Sequence, residues 1–62
     1  MEKTYIVLGI GDSGMLSPLA KSKHQSRAIG YSISISCNTT IKTCNEDEVR
    51  KYSESYYLLN LD

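Results

Sequence analysis

The chain has 62 residues, enough for one domain over 1–62 that buries only roughly 60% of its unfolded surface. Seven basic and seven acidic side chains cancel, which argues against a general nucleic-acid coat and against strong attraction to an anionic membrane. Without Trp or Phe, the core must come from Ile, Leu, Val and five tyrosines, whose hydroxyls favour the core edge or an interface.

Thr4 to Ile10 is a near-continuous apolar run with β-branched members. It reads as a strand buried on both faces and central in a sheet. Gly9 near its end invites a bulge or the close approach of another backbone. The run is too short to span a membrane and lacks the basic front and cleavage site of an export signal, so the chain is expected in the cytoplasm with no membrane partner. Gly11 to Ser17 begins as a loop. Ser17 could cap a helix with Pro18 at its first position. Only Leu19 and Ala20 would then be apolar before Lys21, so 18–25 is expected to be a mobile polar loop or one to two helical turns.

Ala28 to Cys37 carries the clearest periodicity in the chain. Ile29, Tyr31, Ile33, Ile35 and Cys37 alternate with Gly30, Ser32, Ser34 and Ser36. A period of two predicts a strand with one buried and one small, polar face, around which the sheet would be organised. Asn38-Thr39 then reads as a turn, and Thr40 to Cys44 as its hairpin partner. Asn45 followed by Glu48 is a capping-box arrangement, and Glu46, Asp47 and Glu48 suit the positive end of a helix dipole. A helix is expected from 46 to about 53, with Val49 and Tyr52 on one face. Tyr56 to Leu61 reads as a last strand. The expected fold is α+β: a small, mostly antiparallel sheet of about three to four strands with one helix packed on one face.

Gly9, Gly11 and Gly14 form G-x-G-x-x-G directly after a predicted strand. This resembles the dinucleotide-binding (Rossmann) fingerprint, which implies phosphate or nucleotide binding at the Gly9–Gly14 loop. The chain departs from that pattern in its short polar continuation, and no acid lies between Asp12 and Glu46 to hold a ribose. Asp12 to Ser17 also resembles the DSGxxS phosphodegron, which implies phosphorylation at Ser13 and Ser17. Cys37 and Cys44, with no export signal, read as free thiols, and together with the distant His24 they make no zinc set. No metal or cofactor is expected. No catalytic constellation is visible, and the chain is expected not to be an enzyme.

Two groups remain as candidate contacts. Tyr52, Tyr56 and Tyr57, with Leu58, Leu59 and Leu61, exceed what so small a domain can bury, and aromatics are enriched at interfaces. Lys21, Lys23, His24 and Arg27 form an acid-free basic stretch, with Tyr31 as a stacking surface. The leading expectation is a non-catalytic protein-binding module that occludes a partner's surface. An adaptor, an inhibitor or an antitoxin-like host modulator, of the kind phages and mobile elements encode, has these properties. Its contacts would be Tyr52, Tyr56 and Tyr57, with Lys21, Lys23 and Arg27 as a second surface. The alternatives are nucleic-acid binding through 21–27 and phosphate binding at 9–14. A homodimer is a further way to supply the missing burial.

Overall fold

A computed structural model describes residues 3–35 and 38–62. Cys37, the end of the predicted alternating strand, lies outside the described residues. The chain folds as a small α+β domain with the elements β1 (Thr4–Ile10), β2 (Leu16–Ser22), α1 (Gln25–Ser34), β3 (Thr39–Cys44), α2 (Glu46–Ser55) and β4 (Leu59–Asn60). The four strands form one sheet in the order β3-β1-β2-β4. β1 runs antiparallel to both neighbours, and β4 runs parallel to β2.

β1 is the centre of the sheet, as its apolar run requires. Ile6 and Val7 are fully buried and Leu8 nearly so. Successive side chains point to opposite faces. Ile6 and Leu8 pack with Cys44 and Leu58 under Val49 and Tyr52 of α2. Val7 packs with Ala20 and Ala28, flanked by Tyr5, Tyr31, Ile41 and Leu61. The sheet therefore carries two helices, α1 on one face and α2 on the other, where the sequence predicts only one. Each fully buried branched side chain contributes about 1.5–3 kcal/mol, and β1 supplies three of them in succession.

The structure corrects two further expectations of element type, and of the predicted last strand from Tyr56 to Leu61 only Leu59–Asn60 is strand. Residues 18–25 are not a polar loop or helical turn: Leu16–Ser22 is β2, with Pro18, Ala20 and Ser22 buried in alternation. The signal is weak because its inward residues are small. Pro18 lacks an N–H for the ladder, yet it is tolerated because β4 pairs only with Ala20 and Lys21 and the register shifts opposite Val7 and Leu8. The irregularity leaves Leu19 between the paired positions, and its side chain lies 3.1 Å from where a Cβ on Gly9 would stand. The close approach expected at Gly9 is thus made by a side chain, not by a backbone.

The second correction is larger. The alternating stretch is not a strand but α1, Gln25–Ser34. Its sheet-facing residues are Ala28, Tyr31 and Ser32, at i, i+3 and i+4. The Ser32 hydroxyl bonds the Thr39 hydroxyl at the start of β3. In a helix the alternation places Ile29 and Ile33 one turn apart on the solvent side, where Ile33 is 79% exposed. β3 consequently pairs with β1 and not with the 28–37 segment.

Candidate functional site

The topology sorts the surface by chemistry along the strand direction. β1 ends, and β2 and β3 begin, at the same end of the sheet, whereas β4 lies beside Ala20 and Lys21, near the close of β2. Because α1 returns the chain from the end of β2 to the start of β3, its C-terminal turn reaches that end too, with the Ser32 hydroxyl bonded to Thr39. The backbone bond from Ile10 N–H to the Asn38 carbonyl, 2.9 Å, ties the end of β1 to the start of β3.

Ile10, Met15, Leu16 and Ile33, four of the exposed large apolar side chains of the described residues, belong to segments at this end. Ile10, Met15 and Leu16 flank the β1–β2 turn, Ile33 lies in the last turn of α1, and Tyr56 and Tyr57 follow α2. Met15 is 70% exposed and Tyr57 is 89% exposed. At the other end lie Lys21, Lys23, His24 and Arg27 around the close of β2, with Glu46, Asp47 and Glu48 opening α2. The domain is amphipathic along its strand axis.

Local chemistry builds each part. The β1–β2 turn is closed by Gly14 N–H to the Gly11 carbonyl and Gly11 N–H to the Met15 carbonyl, both 2.9 Å. Gly14 has φ +81°, a left-handed conformation that a Cβ penalises. This is a hairpin turn with a glycine bulge. The dinucleotide fingerprint requires a helix after its glycines, whereas this chain enters β2, so no helix N-terminus faces the loop. α2 starts on Asn45, whose side-chain oxygen accepts the Glu48 N–H at 2.9 Å, and it ends at Tyr56 in extended conformation. That break throws Tyr56 and Tyr57 outward while Leu58 turns back into the core.

The predicted contact residues divide. Tyr56 and Tyr57 are exposed, while Tyr52 is half-buried on the core formed by Ile6, Leu8, Cys44 and Leu58. The Lys42 ammonium lies 5.9 Å from the Tyr52 ring centre and bonds Glu48 at 3.2 Å; both contacts favour its charged form, so its pKa is raised. Arg27 bonds the Leu61 carbonyl at 3.4 Å and lies 3.6 Å from the Asp62 carboxylate. Tyr31, the stacking surface of the nucleic-acid reading, packs on the core. Lys21 and Lys23 line a groove beside α2 on the sheet's opposite face from α1. Lys21 and Lys23 thus share one groove, and Arg27 turns to Asp62 on its border. Ile10, Met15, Leu16 and Ile33 were missed as contacts, because only the β1–β2 pairing and the return of α1 bring that turn and the helix end together.

Cys44 is a free, buried thiol, and burial pushes its pKa up, with Glu48 adding to the effect. Among the described residues no group of His, Cys, Asp and Glu could hold a metal ion. No described helix is long and apolar enough to cross a membrane. No family model, no curated protein and no solved structure matches the chain.

Proposed function

We propose that the chain is a small, non-catalytic binding module that docks its apolar end on another protein and occludes that protein's surface. The observation that carries this reading is that Ile10, Met15, Leu16 and Ile33 stand exposed at one end, with Tyr56 and Tyr57 exposed after α2, in a domain with few apolar residues to spare. Leaving such residues in water forgoes roughly 1.5–3 kcal/mol each, in a chain whose total stability is a few times that. Exposed apolar surface on this scale marks an interaction site. Tyr57 is the expected anchor, since aromatics dominate binding hot spots.

The test is affinity capture with the tagged chain beside a Met15→Ser, Tyr57→Ser double variant, each with and without nuclease and at low and high salt. The expected result is one stoichiometric protein, retained through nuclease and high salt and lost from the variant. Retention that depends on nucleic acid, or a partner held equally by both chains, overturns the reading.

A further inference from the structure

We propose that the groove between α2 and the edge formed by β2 and β4 binds a small organic anion. Its charged head is held by Lys21 and Arg50, and its apolar part lies on Val49. This site is separate from the proposed protein-docking end.

The groove has a volume of about 400 Å³, and its walls include Lys21, Lys23, Asn60, Val49, Arg50 and Ser53. Volumes of roughly 300–1,000 Å³ take small molecules. Two walls face each other. β2 contributes Lys21, in register with Asn60 of β4. α2 contributes Val49, Arg50 and Ser53 at i, i+1 and i+4. An apolar side chain, Val49, with cations from two facing elements and the neutral hydrogen-bonding Ser53 and Asn60 beside them suits an amphiphilic anion. Arg50 offers a planar fork of donors and Lys21 a point charge.

The ion pairs Arg27–Asp62 and Lys42–Glu48 include neither Lys21 nor Arg50. Two acids also border the groove, Asp62 and Glu46. The Asp62 carboxylate is committed elsewhere, accepting from the Ser22 hydroxyl and the Lys23 N–H and facing Arg27. Glu46 stands one helical turn before Arg50 without pairing with it. Its carboxylate competes for the groove's cations, and removing its charge should favour the ligand.

The test is an amide NMR titration of the full chain with phenyl phosphate, beside inorganic phosphate and phenol. Expected are saturable shifts at Lys21, Val49, Arg50, Ser53 and Asn60, with phenyl phosphate binding more tightly than either half alone. Lys21→Ala and Arg50→Ala should each weaken it roughly tenfold, and Glu46→Gln should strengthen it. Unshifted amides elsewhere show that the variants keep the fold. The proposal falls if no shift saturates, if phenol binds as tightly as phenyl phosphate, or if both alanine variants bind unchanged. Loss of partner capture in the Met15/Tyr57 variant leaves this titration unaffected, so the two readings fail separately.

Discussion

The hydroxyl of Ser22 donates a 2.6 Å hydrogen bond to the carboxylate of Asp62, 40 residues along the chain. Ser22 is fully buried at the end of β2, and its oxygen also accepts the His24 N–H at 3.0 Å. The other oxygen of Asp62 accepts the Lys23 N–H at 2.9 Å. One carboxylate thus fastens the segment after β4 to the entry of α1, whose N-cap His24 makes no side-chain cap of its own. These bonds, and Arg27 nearby, hold the Asp62 pKa below its ordinary value. The unfolded chain therefore binds the proton more readily. The stabilisation is present above the ordinary carboxyl range, about pH 4, and is lost as pH falls through the lower folded value. Asp62→Asn should destabilise the domain at pH 7, and the gap from the parent chain should narrow below about pH 4 in urea melts run across that range. A gap that widens on acidification would contradict the assigned bonds. Ser22→Ala, which removes a buried bond, should cost on the order of 1 kcal/mol or more.

Gly30 lies inside α1, and a Cβ added there meets nothing within 4 Å. Glycine in a helix interior is less favourable than alanine by about 0.5–1 kcal/mol. Gly30→Ala should therefore stabilise the domain by about that amount and raise its thermal midpoint by a few degrees. A drop in the midpoint would speak for the strand that the alternation suggests.

Gly14 and Gly11 sit in the same turn but differ in backbone. Gly14 has φ +81°, whereas a Cβ on Gly11 would meet only the Met15 carbonyl, at ordinary contact distance of 3.6 Å. Gly14→Ala should cost about 1–2 kcal/mol, more than Gly11→Ala. Chemical denaturation of the two variants gives the comparison, and equal losses would count against the hairpin turn.

Cys44 is buried to 1% exposure against Ile6, Leu8 and Leu58. Its raised pKa keeps the thiol protonated, and reaction with alkylating agents needs the exposed thiolate. In a Cys37→Ser background, iodoacetamide at pH 8 should label Cys44 far more slowly than free cysteine, and at the same rate once urea unfolds the chain. Because the folded pKa is the higher one, raising the pH through the unfolded thiol value of about 8.5 should lower stability.

The Asn45 cap accepts the Glu48 N–H at 2.9 Å. Asn45→Ala should cost roughly 1 kcal/mol, read as a lower urea midpoint. The change leaves the Tyr56–Tyr57 surface in place, so partner capture should persist.

The sequence alone determined the elements whose causes are local. Thr4–Ile10 is a strand because seven residues in a row carry too much apolar surface for anything but the sheet's centre. α2 begins at Glu46 because Asn45 and three acids cap it, and β3 follows from its β-branched Thr and Ile. Exposed Tyr56 and Tyr57 were legible too, as more aromatic surface than the core can take. Tertiary structure decided the rest. Once β2 and β3 both pair antiparallel with β1, they run in the same direction on either side of it. The chain between them must then cross the sheet from end to end, a crossover usually made by a helix. Both hydrogen-bonding edges of β1 are occupied, so Ala28 to Ser34 winds into α1 against the face and sends Ile29 and Ile33 to solvent, though its alternation suits a strand. The same return paths bring the apolar residues of several segments to one end of the sheet and face Arg50 across a groove from Lys21. Neither arrangement can be read from spacing along the chain, because each depends on which strands become neighbours.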